Sequence, residues 1–142
     1  MKLFVRVFLI TLLAVSAFAA SAGTSAASDS AITIQFDKHA IGPGHYVGTT
    51  ADGGTIEMQV SNSSITGGVQ HFTAILELAL ATGSLSATVE GQFNFSTGKV
   101  VLNGIVLSGW LMGAQVHEAS QLVALDPITF VGTVMLMPAS AD

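Results

Sequence analysis

The side chains that could carry acid–base or metal chemistry are few and scattered along this 142-residue chain. Four histidines are present, and none stands at a spacing typical of metal ligands, so no metal site is expected. His117 and Glu118 are neighbours on a predicted strand, so their side chains point to opposite faces and do not form a dyad. The chain contains no cysteine, which excludes thiol chemistry and disulfide bonds.

Glu77 is the candidate catalytic residue, because it interrupts an otherwise apolar run. A carboxyl group buried there would have a raised pKa and could act as a general acid or base. The alternative is a solvated, outward-facing Glu77, the commoner arrangement for a carboxylate. The chain has no G-x-S-x-G motif, no phosphate-binding G-x-x-x-x-G-K-[ST] loop and no dinucleotide fingerprint, so no cofactor is expected.

The candidate ligand-binding residues are of two kinds. Some have an apolar ring that carries a polar group, and the others lie in or beside a polar row along one predicted strand. Tyr46 and Trp110 are the only residues of their types, and each could contact a ligand at the mouth of a barrel or simply pack its end. Asn94 ends a polar row that starts with Glu90 and Gln92, and this row either lines a mouth or faces solvent. The predicted ligand-binding set is Tyr46, Phe93, Asn94, Phe95 and Trp110.

The elements that must position these residues are strands. Runs of alternating apolar and polar residues recur at regular spacing, Gly- or Pro-containing turns lie in most gaps, and no run has helical spacing. Eight strands with short connections indicate an all-β, up-and-down antiparallel barrel or a sandwich. The predicted strands are residues 31–36, 45–50, 55–60, 69–81, 85–95, 100–107, 115–125 and 128–137.

The predicted strands already suggest an interior and an exterior. Phe72, Leu76 and Leu78 share one face of their strand, as expected around an apolar lumen that is either filled by side chains or holds one small ligand. Thr97-Gly98 predicts a tight turn, and Gly104 predicts a bend, a bulge or a close backbone approach. Apolar residues left outside favour self-association. These are Ile75, Val101, Ile105 and Leu107.

The N-terminal segment indicates export. Residues 1–22 have the basic start, apolar centre and small-residue end of a secretory signal peptide, with an uncleaved membrane anchor as the alternative. Residues 23–30 are small and polar and predict a disordered lead-in, and residues 31–138 form the barrel domain. The formal net charge of −5 becomes about −7 without Lys2 and Arg6. A chain without a basic patch is not expected to bind nucleic acid.

The stretch GQFNFSTGKVVLNGIVLSGWLMGAQVHE, followed by DPITFVGTVML, resembles bacterial allene-oxide-cyclase/dirigent-type barrel proteins. The similarity lies in Thr97-Gly98, in the Gly113-Ala114 step and in Phe130-Val131-Gly132-Thr133, and it extends from about Gly91 to Leu136. The resemblance implies an eight-stranded antiparallel barrel with an apolar cavity, often a trimer. It implies proteins that bind, guide or cyclise small molecules without a metal or nucleotide cofactor, and it places no catalytic residue in this chain.

Three hypotheses about function follow. The first is a secreted or periplasmic barrel that binds or guides an apolar small molecule in its cavity, with an isomerase- or cyclase-like activity left open. The second is a non-catalytic structural or interaction barrel of the cell envelope, whose interior is packed by side chains that include Leu76, Leu78, Phe93 and Phe95. The third, a small outer-membrane barrel, is weakened by a C-terminus without a terminal aromatic residue.

Overall fold

The computed structural model describes residues 30–139, which form a closed barrel of eight antiparallel strands. Each strand pairs with its neighbours in sequence, and β1 closes the barrel by pairing with β8. This confirms the all-β up-and-down barrel. The expected signal peptide and all but Ser30 of the expected lead-in lie outside the described residues. The strands are β1 (Ile32–Gly42), β2 (His45–Thr50), β3 (Thr55–Thr66), β4 (Val69–Leu80), β5 (Gly83–Asn94), β6 (Lys99–Gly109), β7 (Gln115–Leu125) and β8 (Ile128–Met137).

Two strands are longer than the sequence predicts. β1 continues past Phe36, where the predicted strand ends, to Gly42. The third predicted strand, residues 55–60, is too short, because β3 continues to Thr66 and only Gly67 and Gly68 form the turn to β4. Both glycines have positive φ, at 59° and 77°, which a residue with a side chain rarely adopts. The β3–β4 hairpin therefore extends well beyond the short strand β2.

The lumen of the barrel is filled by aliphatic and aromatic side chains. Strand residues alternate between the two faces of the wall, so every second residue points inward. On β4, Leu76 and Leu78 are almost fully buried, and Phe72 and Ala74 lie on the same face, as predicted. Buried apolar residues from the other strands complete the core. They are Ile34, Phe36, Ile56, Met58, Leu85, Ala87, Val89, Val100, Leu102, Val106, Ala114, Val116, Phe130, Val134 and Leu136.

The outer wall mixes polar residues with single apolar ones. Ile75, Val101, Ile105 and Leu107 are exposed there, which confirms that some apolar surface is left outside. Within residues 30–139 there is no helix long and apolar enough to cross a membrane.

Glycines occupy positions where two backbones approach closely. A Cβ atom on Gly104 would lie 1.9 Å from the carbonyl oxygen of Thr88, which confirms the predicted close approach on β6. A Cβ atom on Gly48 would lie 1.7 Å from the carbonyl oxygen of Asp37. Only glycine fits these positions of the curved wall.

The two ends of the barrel differ in their connections. We call one end the mouth: it carries the β1–β2, β3–β4, β5–β6 and β7–β8 turns. We call the other end the base: it carries the β2–β3, β4–β5 and β6–β7 connections, the start of β1 and the end of β8. The β6–β7 connection, Trp110–Ala114 in sequence, is the Gly-containing connection that the sequence predicts.

Candidate functional site

A buried ion pair lies inside the barrel. Lys38 Nζ on β1 donates a hydrogen bond to Glu118 Oε1 on β7, at 2.5 Å. The two side chains are 1% and 0% exposed. They are the only ionisable side chains among the buried residues of the described part of the chain.

The surroundings of the pair supply only part of its hydrogen bonding. Lys38 Nζ also lies 3.7 Å from Met58 Sδ and 5.0 Å from the ring centroid of Phe36. Ser120 Oγ donates a second hydrogen bond to Glu118 Oε1, at 3.1 Å. Glu118 Oε2 is buried and has no hydrogen-bond partner among the described residues. One carboxylate oxygen is thus left able to accept a hydrogen bond.

Strand alternation places both groups in the lumen. Lys38 follows Phe36 on the inward face of β1, and Glu118 lies between Val116 and Ser120 on the inward face of β7. Strand β8 separates the two strands, and its inward Gly132 contributes no side chain there. This gap between β1 and β7 is where the lysine and the glutamate meet.

Sequence reasoning missed this pair. Lys38 lies just beyond the first predicted strand, residues 31–36, and Glu118 was considered only as a neighbour of His117 that points to the opposite face. The sequence nevertheless contained a signal for both positions. Every second residue of a strand faces inward, so the inward position after Phe36 is Lys38, and the inward position after Val116 is Glu118. Charged side chains are rarely buried, so these two positions looked exposed. Only the closed barrel shows that the charges of Lys38 and Glu118 compensate each other.

An ion pair in an apolar interior is costly to desolvate, and replacing such a pair by apolar residues is often neutral or stabilising. A pair of this kind, with one unpartnered oxygen, is therefore the candidate functional site of the barrel. Chemically, Glu118 Oε2 can accept a hydrogen bond or a proton from a bound molecule. The ammonium of Lys38 can stabilise negative charge that develops next to it.

Aromatic residues cover the pair on the side of the mouth. Phe130 is the cross-strand partner of Lys38, so the two inward side chains are neighbours. The ring of Phe130 contacts Tyr46 at 5.8 Å and Phe93 at 5.6 Å between centroids, both edge-on. Burial raises the pKa of Tyr46 above its ordinary value. We call Tyr46, Phe93 and Phe130 the aromatic layer.

The structure therefore brings together three of the five predicted ligand-binding residues. Phe95 lies above the aromatic layer, with its ring centroid 5.0 Å from that of Phe93, and its side chain is 50% exposed. Half-buried Val60 and Leu122 pack beside the same part of the core. These residues make an apolar mouth above a buried polar floor.

The other two predicted residues lie elsewhere. The Asn94 side-chain oxygen accepts hydrogen bonds from the backbone N–H groups of Ser96 and Thr97, so it holds the β5–β6 turn. Trp110 lies at the base, in the β6–β7 connection, and packs on Gly83, where a Cβ atom would lie 2.9 Å from the indole Cγ. Tyr46 and Trp110 are therefore at opposite ends of the barrel.

Glu77 faces outward and is exposed, next to Glu57 on the adjacent strand. It belongs to the outer wall and not to the lumen. Glu90 and Gln92 are also exposed, and they line an open groove of about 600 Å³ on the outer wall together with His71 and Asn103. Among residues 30–139 no group of three or more His, Asp or Glu side chains could hold a metal ion.

Comparison with family models, with curated proteins and with solved structures finds no match to this chain.

Proposed function

We propose that the protein binds a small, largely apolar molecule at the mouth of its barrel, as the resemblance to allene-oxide-cyclase/dirigent-type proteins implies. The observation that supports this most is the Lys38–Glu118 ion pair with its unpartnered Glu118 Oε2 beneath an aromatic layer. Ligand sites in proteins are mostly apolar concavities with a few polar groups that fix the ligand's orientation. The mouth combines an apolar aromatic layer with one unpartnered polar atom beneath it.

The structure limits where the molecule sits. The lumen towards the base is filled by Leu78, Leu85 and Leu136, so there is no room for a ligand there. Tyr46 and Phe93 are only half buried and can contact the ligand from the mouth. The ligand then enters from the mouth by displacing part of the aromatic layer, so that its polar group reaches the buried ion pair.

The ion pair also selects the polar group of the ligand. The unpartnered oxygen belongs to the Glu118 carboxylate, whose negative charge would repel an anionic group of the ligand. A neutral donor such as a hydroxyl group would satisfy Glu118 Oε2 without disturbing the bond to Lys38. We therefore expect an apolar molecule that carries a hydroxyl group.

A second candidate function is the non-catalytic structural or interaction barrel. The dense packing of the lumen favours it, because Leu76, Leu102 and Val134 are fully buried and fill the centre. In this case the ion pair would serve only to fix the register of β1 and β7, and apolar probes would not bind at the mouth.

Secretion through residues 1–22 and assembly as a trimer belong to the proposal as well. N-terminal sequencing of the exported protein tests the first, with a new N-terminus near residue 23 as the expected result. Native mass spectrometry of the same sample tests the second, and a co-purified small molecule would show directly in its spectrum.

The binding proposal is tested by titrating the protein with N-phenyl-1-naphthylamine, a neutral apolar probe that fluoresces when it leaves water. Phe93→Ser should weaken binding at least tenfold, because it removes the half-buried ring that links Phe130 to Phe95 at the mouth. Ile105→Ser is the matched control, since Ile105 is exposed on the outer wall. Circular dichroism checks that both variants keep the barrel.

Absence of saturable binding to the wild-type protein would overturn the proposal and favour the structural barrel. Equal weakening by Ile105→Ser would also overturn it, because the probe would then bind the outer wall.

A further inference from the structure

Exposed apolar side chains lie at the tips of the hairpins around the mouth: Ile41, which is 54% exposed, on the β1–β2 hairpin, and four others on the remaining three hairpins. Their exposed fractions are 66% for Ile65, 50% for Phe95, 75% for Leu125 and 39% for Ile128. We call these four residues the apolar crown. They lie on the β3–β4 hairpin, in the β5–β6 turn and on both sides of the β7–β8 turn.

The crown continues the inward face of the barrel wall beyond the packed lumen. Ile65 pairs with Gln70, which pairs in turn with inward Phe93. Leu125 pairs with Ile128, two residues before inward Phe130. These side chains point in the same direction as the core residues but lie beyond the end of the packed lumen. No residue of the described part of the chain covers them at the mouth.

Hydrogen bonds between neighbouring hairpins hold the tips in place. The N–H of Phe95 donates to the Gly68 carbonyl oxygen at 3.1 Å, which ties the β5–β6 turn to the β3–β4 turn. The N–H of Leu122 donates to the Gly98 carbonyl oxygen at 2.8 Å, and Gln121 Nε2 donates to the Thr97 carbonyl oxygen at 2.8 Å. The crown is thus presented on a connected rim, not on independent loops.

The rim carries little charge. The tips of the four mouth hairpins, residues 41–44, 61–69, 94–99 and 125–128, contain only Lys99 and Asp126 as charged residues. These two charges have opposite sign, while the whole chain has a formal net charge of −5. A neutral rim can leave water without the cost of desolvating unpaired charges.

The area of the crown is too small for a stable contact with a second copy of the chain. A large aromatic side chain buries at most ~250 Å², and four partly exposed side chains fall short of the ~800 Å² that each partner of a standard interface buries. The crown also surrounds an opening, so a rigid partner would need a shape that fills it. A fluid lipid surface needs no such shape and accepts a few apolar side chains at its interface.

We infer that the mouth of the barrel rests on an electrically neutral lipid surface through the apolar crown. Through this contact it exchanges apolar molecules with the lipid. The acidic net charge opposes contact with anionic lipid, so zwitterionic lipid is the expected surface. Only the exchange of a ligand rests on the proposed function; the lipid contact itself does not.

The test is co-sedimentation with phosphatidylcholine vesicles, at constant salt and with no apolar probe present. Leu125→Ser should lower the partition coefficient at least tenfold, because each buried carbon of the side chain favours the lipid. Ile65→Ser should act in the same direction. All variants are purified by the export route of the wild-type protein, so that every sample has the same N-terminus.

Met112→Ser and Leu107→Ser are the matched controls. Met112 is 70% exposed at the base, and Leu107 is 55% exposed on the outer wall. Both controls should stay within twofold of the wild-type partition coefficient. Vesicles containing anionic phosphatidylglycerol should bind the wild-type protein more weakly than pure phosphatidylcholine.

Three results would overturn the inference. These are no binding of the wild-type protein to phosphatidylcholine vesicles, equal loss with Met112→Ser, or a dimer in light scattering that Leu125→Ser converts to a monomer. The last result would assign the crown to a second copy of the chain. Failure of the proposed ligand site is distinguishable, because Phe93→Ser would then leave probe binding in solution unchanged while vesicle binding still depends on Leu125.

Discussion

Lys38 and Glu118 come from strands β1 and β7, which are separated by β8, yet Nζ and Oε1 lie 2.5 Å apart inside the barrel. The pair joins two strands that share no backbone hydrogen bonds. Its desolvation is offset only while both partners are present. The first prediction follows from this dependence.

Lys38→Met should lower the free energy of unfolding by about 3–5 kcal/mol, because it removes the countercharge of the buried Glu118 carboxylate and leaves only the Ser120 hydroxyl as its partner. Lys99→Met, which removes an exposed lysine, should change it by less than about 0.5 kcal/mol. Urea denaturation measures both. The double variant Lys38→Met/Glu118→Leu should regain most of the loss, since neither charge then remains in the lumen.

A loss below about 1 kcal/mol for Lys38→Met would contradict this account of the pair, since breaking a buried pair costs more. A double variant as unstable as Lys38→Met alone would also contradict it, because the two residues would then act independently.

The second prediction concerns the close backbone approach at Gly48. Gly48→Ala should destabilise the barrel by about 3 kcal/mol, since the new Cβ atom must push the two strands apart. Gly42→Ala in the same hairpin is the control, because a Cβ atom there meets nothing within 4 Å. Thermal unfolding compares the two variants. Equal midpoints would show that the wall can relax at Gly48.

The third prediction concerns pH. A hydrogen bond from His45, whose Nε2 lies 2.6 Å from Glu57 Oε1, is the main cause of the lowered pKa of Glu57, and a weaker bond from Gln59 adds to it. A lowered folded-state pKa stabilises the fold above the usual value of 4.5. This contribution is lost as the pH falls through the lower folded-state pKa. His45→Leu should raise the pKa of Glu57 towards its usual value in a carboxyl NMR titration.

Asp52 provides the control for this titration. Its pKa is lowered mainly by hydrogen bonds from the Thr50 hydroxyl and the Gly54 N–H, in a different part of the barrel. His45→Leu should leave the pKa of Asp52 unchanged, and Thr50→Val should raise it without moving that of Glu57. A shift of both carboxyl groups in either variant would indicate a general change of structure.

The fourth prediction separates the buried and exposed parts of the mouth. Phe130→Ala should destabilise the protein by about 3–5 kcal/mol, since Phe130 is 5% exposed and contacts Tyr46 and Phe93. Phe95→Ala should change stability by less than about 0.5 kcal/mol, because this ring is half exposed. Similar effects in chemical denaturation would mean that the aromatic layer is not a packed unit.

Much of the fold was predictable because its signals are local. Alternation along β4 and the turn at Thr97-Gly98 follow from residues that are adjacent in sequence, and the structure confirms both. The predicted C-terminal ends of β1 and β3 were both too early, and for the same reason. The composition of both segments is typical of loops, because residues around Lys38 are charged and the end of β3 is rich in Ser and Asn. Hydrogen bonding to neighbouring strands nevertheless holds both segments in strand conformation.

The site was less predictable because it depends on contacts across the barrel. Tyr46 and Phe93 were identified by residue type, and the structure places both at the mouth. Lys38 and Glu118 are 80 residues apart, and no local pattern connects them. The resemblance to cyclase- and dirigent-type barrels remains a hypothesis about ligand and assembly.

The most direct test of the proposed binding site is NMR mapping of N-phenyl-1-naphthylamine on the isotope-labelled protein. We predict the largest amide shift changes at the mouth, around Phe93, Leu122 and Phe130, and none at Trp110 or Ile105. Changes centred on Trp110 or on the outer wall, or no saturable changes at all, would contradict the proposal that the mouth binds small apolar molecules.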